Sequence, residues 1–156
     1  MMILLTGGSG CGKSSFAERL CMEMPLPRYY IAAMKPYGEG GMEKVERHRK
    51  MRAGKGFETF ECYTEMEKLT LPARGTTLLE CVCNLTANEM FDETGGVHDP
   101  YARVLAGVEN LRGQSETLIV VTNDVGSDAE RYSAETRAYV EVLGRINAAL
   151  ADMADT

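Results

Sequence analysis

No run of apolar residues approaches the roughly 20 that a membrane-spanning helix needs. The N-terminus leads directly into a strand-like run rather than into a secretory leader. Together these absences create the expectation of a cytoplasmic protein without a membrane span. Positive charge is not in excess: 17 Lys and Arg stand against 23 Asp and Glu, a net charge of −6. That balance argues against non-specific nucleic-acid binding, which needs a basic surface. Cysteine is present five times (Cys11, Cys21, Cys62, Cys81, Cys83), but the count is odd and no C-x-x-C pair occurs. Neither a disulfide framework nor a zinc site is indicated, and the thiols read as buried or loop residues in a reducing compartment. There are two histidines, His48 and His98, so imidazole chemistry has few places to reside. No internal repeat, low-complexity tract or linker divides the 156 residues, which suit one domain over 1–156. The composition, 44% apolar and 26% charged, is that of a soluble globular chain.

The most informative stretch is Gly7-Gly8-Ser9-Gly10-Cys11-Gly12-Lys13-Ser14. It fits G-x-x-x-x-G-K-[ST], the loop that cradles the phosphates of a nucleoside triphosphate. The apolar run Met2–Thr6 precedes it and a helical stretch from Lys13 to Cys21 follows, which is the context the motif requires. Glycines let successive N–H groups turn inward as an anion-binding nest, and the helix N-terminus adds partial positive charge. Lys13 is placed to reach the β- and γ-phosphates and Ser14 to ligate Mg²⁺. Cys11, a thiol in positive potential, is expected to have a depressed pKa.

Strand-like runs alternate with helical patterns along the chain. Strands are expected at Met2–Thr6, Arg28–Ala33, Glu58–Glu61, Thr76–Glu80 and Leu118–Thr122. Helices are expected at Lys13–Cys21, Met42–Met51, Glu65–Leu69, Asn84–Phe91, Tyr101–Arg112 and Ala134–Met153. Thr64-x-x-Glu67 reads as a capping box, Asp99-Pro100 as an N-cap with proline at N1, and Ser133 as the residue opening the last helix. That helix aligns Tyr139, Val142, Leu143, Ile146, Leu150 and Met153 on one face, the spacing of a helix laid on a sheet. The alternation implies an α/β fold with a mainly parallel sheet, whose ligands bind at the C-terminal strand ends. Lys35–Gly41 and Asp92–Pro100 are glycine-rich loops.

Several residues could carry chemistry at those ends. Glu80 closes an apolar strand, where P-loop proteins place an acid that holds Mg²⁺. A strand-end carboxylate facing solvent, the base or the ribose is the competing reading. Asn123 and Asp124 follow another buried strand, but the lysine and the spacing of the guanine motif N-K-x-D are absent, so a GTPase is not indicated. His48 shares a helical stripe with Lys44 and Arg52. Flanking cations favour neutral imidazole, the nucleophilic form, and bind phosphate oxygens. A lone histidine in a charged helix is nonetheless ordinarily a solvated surface residue. His98 has no comparable setting.

Four segments in order resemble the bifunctional adenosylcobinamide kinase/adenosylcobinamide-phosphate guanylyltransferase family of cobalamin biosynthesis. They are Ile3–Gly8 running into Gly12-Lys13-Ser14; Tyr30–Ala33 with Lys44–His48, Arg52 and Glu61; Leu78–Cys81 with Asn88; and Val121–Gly126 with Arg137 through Asn147. The resemblance implies a RecA-like P-loop fold, a trimeric assembly, GTP or ATP as substrates and a corrinoid acceptor. It implies phosphorylation of adenosylcobinamide, then transfer of GMP from GTP through a guanylyl-histidine to give adenosylcobinamide-GDP. His48 matches the guanylylated histidine. Ala32, Ala33, Met34, Arg49, Lys50, Met51, Arg52, Glu61 and Glu80 match nucleotide-contacting segments. The chain departs from the family at Gly10-Cys11, usually Arg-Ser, at Ala53, usually proline, at Phe57, usually tryptophan, and at Asp124, usually glutamate. It stops at Thr156, where the family continues into another strand, so an open sheet edge or a place for another subunit is expected. A P-loop kinase of another small molecule, or a diverged non-catalytic nucleotide-binding protein, are the alternative readings.

Overall fold

The computed structural model describes residues 1–7, 12–34, 43, 46–47, 49–50, 54–91, 94–123 and 134–156. Five strands, β1 (Met2–Leu5), β2 (Arg28–Ala32), β3 (Phe57–Glu61), β4 (Thr76–Glu80) and β5 (Thr117–Val121), form one sheet in the order β1-β5-β4-β2-β3. Every pairing is parallel. Among the described residues it is flanked by the helices α1 (Lys13–Met22), α2 (Val82–Met90), α3 (Tyr101–Gln114) and α4 (Ala134–Met153). Each expected strand is found within one residue of its expected bounds. The reason is physical: strands such as Thr117-Leu-Ile-Val-Val121 lie between two helical layers and must be apolar on both faces. This is the α/β P-loop architecture expected from the sequence.

The two faces have separate cores. On one, Ala17 and Cys21 of α1 pack on Tyr30, Leu78, Ile119 and Val121. On the other, α2, α3 and α4 cover Tyr29, Ile31, Leu79, Leu118 and Val120. The stripe of α4 is buried as its spacing requires: Val142, Leu143, Ile146 and Leu150 lie in this core, with Tyr139 and Met153 packed at its margin. The C-terminal end of α1 is tied down by Arg28, whose guanidinium donates to the carbonyls of Cys21, Met22 and Met24. A cation there also suits the helix dipole.

Local signals fared less evenly. Asp99 accepts the Tyr101 N–H at 3.1 Å, but α3 starts at Tyr101 with Pro100 as its N-cap, one residue later than the expected Asp99 cap with proline at N1. The helix expected over Glu65–Leu69 is a single 3-10 turn, Met66–Lys68, and the Thr64 capping box does not form. Glu65 instead takes a left-handed conformation and gives its N–H to the Glu89 carboxylate, 24 residues away. α2 begins at Val82, two residues earlier than Asn84. Of the expected helix Met42–Met51, residues Glu43, Glu46, Arg47, Arg49 and Lys50 are described, and all are helical and exposed. Lys35–Gly41 and Ser133 lie outside the described residues.

At the β1 edge of the sheet the chain's own tail pairs with the strand. The Asp155 N–H donates to the Met2 carbonyl at 2.8 Å and the Leu4 N–H to the Thr156 carbonyl at 2.9 Å. The Asp155 carboxylate accepts the Met2 N–H at 2.8 Å. These bonds satisfy β1 groups that a bare edge would leave to solvent.

Two glycines of α3 test the packing. A Cβ on Gly107 would stand 2.8 Å from the Met66 Cβ, whereas one on Gly113 meets nothing within 4 Å. Gly107→Ala should therefore destabilise the protein by about 1–3 kcal/mol through overpacking. Gly113→Ala should stabilise it by about 0.5 kcal/mol through helix propensity. Urea unfolding midpoints check both, and equal shifts of one sign would contradict this packing.

Candidate functional site

Parallel pairing in register aligns the last residues of all five strands in one row: Leu5, Val121, Glu80, Ala32 and Glu61. Cross-strand partners share a face, and Leu5, Val121 and Ala32 belong to the core beneath α1. Glu80 and Glu61 therefore emerge on the α1 side of the sheet's C-terminal edge, one strand to either side of Ala32. Neighbouring strands lie about 5 Å apart, so the two carboxylate residues are separated by about 10 Å.

The N-terminus of α1 opens onto this row. Gly12 caps it with φ 86°, a left-handed conformation that suits glycine, and its carbonyl accepts the Phe16 N–H at 3.1 Å. Lys13 Nζ donates to the Gly7 carbonyl at 3.2 Å, bending the lysine back across the loop. The Ser14 hydroxyl donates to Glu80 Oε1, and the Tyr30 hydroxyl donates to Glu80 Oε2 at 2.8 Å. Both oxygens of Glu80 are thus oriented. Among the described residues no three His, Cys, Asp or Glu side chains converge as metal ligands. Ser14 and Glu80 together do offer a hydroxyl and a carboxylate beside a helix N-terminus, donors that fit a hard divalent cation.

At the far end of the row, Glu61 is ion-paired with Arg49, whose other arm reaches Glu46 at 3.2 Å. Tyr63 donates its hydroxyl to Glu61 at 3.2 Å, and burial, then the Glu61 charge, pushes the Tyr63 hydroxyl up. The Glu61 contact holds the Arg49 guanidinium in its charged form even more firmly than usual. Of the site residues expected from sequence, Ser14 and Glu80 meet, Lys13 folds onto Gly7, and Arg49 meets Glu61. Ala32 lies between the two acids, Ala33 is buried beyond it, Met34 is half-buried, and Lys50 is exposed. Gly8, Ser9, Gly10, Cys11, His48, Met51 and Arg52 lie outside the described residues.

The chain matches the family model described as cobinamide kinase / cobinamide phosphate guanyltransferase over residues 3–156. The chain belongs to this family. It is similar to the bifunctional adenosylcobalamin biosynthesis protein CobU of Salmonella typhimurium and to that of Escherichia coli K12. Each is 29% identical over 170 residues, covering 99% of this chain and 92% of the relative. Family membership makes the protein a transferase of cobalamin biosynthesis, one that acts on small molecules and nucleoside triphosphates. No helix among the described residues is long and apolar enough to cross a membrane.

Two groups of residues at the site had no role assigned from the sequence. Tyr30 precedes Ala32 by two residues, so strand alternation alone puts it on the Glu80 face. The second is a polar clamp behind β5. Asn147 on α4 accepts the Thr122 hydroxyl at 2.7 Å and donates to the Asn123 carbonyl at 3.2 Å. The Asn123 N–H donates to Cys83 Sγ at 3.3 Å. Neighbouring Cys81, and then this N–H, hold the Cys83 thiol below its usual range, against the opposing effect of burial. Cys21 is the opposite case: burial beneath α1 pushes its thiol up to about 12, the mark of an inert structural cysteine. The four described cysteines, Cys21, Cys62, Cys81 and Cys83, are all free thiols.

Thr122 is fully buried, so losing its acceptor is costly. Asn147→Ala should lower stability by about 1–3 kcal/mol, the cost of removing the oxygen acceptor of a buried hydroxyl. Urea unfolding measures this, and an unchanged midpoint would show that the clamp contributes nothing.

Proposed function

We propose that the C-terminal row is the nucleotide site of a two-step enzyme. In the first step a nucleoside triphosphate phosphorylates the hydroxyl of the aminopropanol arm of adenosylcobinamide. In the second, His48 takes GMP from GTP and passes it to the phosphorylated corrinoid. The observation that carries this reading is the oriented Glu80, bonded to the Ser14 hydroxyl at the mouth of a G-x-x-x-x-G-K-S loop, in a chain matched end to end by one family.

The loop and the N-terminus of α1 bind phosphate oxygens through backbone N–H groups and the helix dipole. Lys13 neutralises charge on the β- and γ-phosphates. Ser14 and Glu80 would hold Mg²⁺, which when bound offsets the negative charge that gathers on the phosphates. Tyr30 keeps the second oxygen of Glu80 in place. The Arg49–Glu61 ion pair supports a matching role at the other end of the row, since Arg49 neighbours His48 in sequence and tethers its segment to β3.

For guanylyl transfer, a neutral imidazole nitrogen of His48 attacks the α-phosphorus of GTP. A P–N bond forms as the bond from that phosphorus to the bridging oxygen breaks, and pyrophosphate leaves with the electron pair. The cations at 44, 49 and 52 favour neutral imidazole and stabilise the leaving charge. A phosphate oxygen of the phosphorylated corrinoid then attacks the same phosphorus, the P–N bond breaks, and His48 returns to its starting form. One difficult displacement becomes two easier ones.

Incubation with α-³²P-GTP and Mg²⁺ should label the protein with an acid-labile, base-stable adduct that His48→Ala abolishes. Lys13→Ala should weaken triphosphate binding by about 2 kcal/mol or more, as measured by calorimetry. An unlabelled wild type, or a label that persists in His48→Ala, would overturn the guanylyl-histidine reading and leave a P-loop kinase in its place.

A further inference from the structure

The same end of the sheet carries a second recess, on the face opposite α1. It encloses about 300 Å³ between the segment after β3, the C-terminal half of α2 and the start of α3. Asn88 fixes its position: the side-chain amide donates to the Ala33 carbonyl at 2.7 Å, one residue beyond Ala32 of the row. The recess therefore opens at the end of β2, across the edge of the sheet from Glu61 and Glu80.

Its wall contains a carboxylate that the fold does not satisfy. The Glu89 side chain is 3% exposed. Its Oε1 accepts the Glu65 N–H at 3.1 Å, but Oε2 has no hydrogen-bond partner among the described residues. Among the described residues Arg103 forms an ion pair with it at 3.7 Å, too long for a hydrogen bond, and is 59% exposed. The other acids of the recess are engaged: Glu65 is paired with Lys68 at 3.0 Å, and Asp99 accepts the Tyr101 N–H. The local field is negative. Burial raises the pKa of the nearby Cys62 thiol, and the carboxylates of Glu67, Glu89 and Glu65 raise it further.

A buried acceptor and an exposed planar donor thus stand side by side as an ion pair, with no hydrogen bond between them. An anion is disfavoured by the unpaired carboxylate. An apolar group would leave that oxygen unsatisfied. A primary carboxamide matches both: its N–H donates to Glu89 Oε2 and its carbonyl accepts from the Arg103 guanidinium.

We propose that this recess is a carboxamide subsite, holding one of the primary amide side chains that ring the corrin macrocycle of the acceptor. The proposal rests on the corrinoid reading above and adds where the macrocycle is gripped. The acceptor lies across the C-terminal edge at β2, with an amide anchored on the α2–α3 side and its reactive arm carried over to the row beneath α1. Glu89 and Arg103 are then binding residues for the corrinoid and have no part in attack on GTP.

The test uses the full-length protein, with dicyanocobinamide and its separated monocarboxylic acids, in which one side-chain amide has become a carboxylate. Binding is followed by calorimetry, and GTP binding is measured in parallel. Glu89→Gln retains an acceptor for the Glu65 N–H, and Arg103→Ala alters an exposed side chain, so both variants should fold. Each should weaken cobinamide binding about tenfold, the loss of a hydrogen bond to a charged group, with GTP affinity unchanged. One of the monocarboxylic acids should bind wild type poorly and regain affinity in Glu89→Gln, a selectivity change that a purely structural role would not produce. If wild type binds cobinamide but both variants bind every corrinoid as wild type does, the subsite is wrong and the corrinoid reading stands. If wild type binds no corrinoid, both fall.

Discussion

Parallel pairing with every strand in step is the constraint from which the site follows. A parallel sheet delivers all its C-terminal ends to one edge, and here a single row runs Leu5, Val121, Glu80, Ala32, Glu61 without a slip. A one-residue shift of β4 would turn Glu80 to the opposite face, away from α1. A shift of β3 would do the same to Glu61. The apolar residues of the central strands thus hold this row in place. Leu78 and Leu79, buried on opposite faces, fix the register that presents Glu80 to Ser14.

Polar groups at both ends of the sheet are held by long-range partners. Glu18 on α1 has a side chain only 2% exposed and is paired with Lys55 at 3.1 Å, which anchors the phosphate-loop helix to the segment before β3. Breaking such a pair is costly because it strands a buried charge. Tyr30 and Ser14 divide the two oxygens of Glu80 between them, and Asn147 clamps the exit of β5. Each bond restricts one strand end or helix start to a single position, which phosphate chemistry requires of its donors.

The legible and illegible parts of the sequence separate along this line. Strands such as Thr76–Glu80 could be read because burial on both faces demands unbroken apolar runs. The face of α4 could be read because one helical stripe meets the sheet. Glu80 and Glu61 were visible as strand-end acids, but their placement on either side of Ala32 depends on strand order, which no local pattern encodes. The failed capping box at Thr64 has the same origin: the Glu65 N–H is claimed by Glu89 on α2, so a distant carboxylate overrides a local signature. Asn147 went without a role because its partners, Thr122 and Asn123, lie on the neighbouring strand end. The recess at Glu89 was invisible for the same reason, since its walls come from three separate segments.

The central claim is that Ser14 and Glu80 act as one unit in holding a metal-bound triphosphate. A double-mutant cycle on Mg²⁺·GTP affinity, with Ser14→Ala, Glu80→Gln and the pair, measures that coupling directly by calorimetry. If the two residues share one site, the losses should be strongly non-additive, with a coupling of about 1 kcal/mol or more. Additive losses within about 0.3 kcal/mol would contradict it, because independent residues at separate places behave in that way.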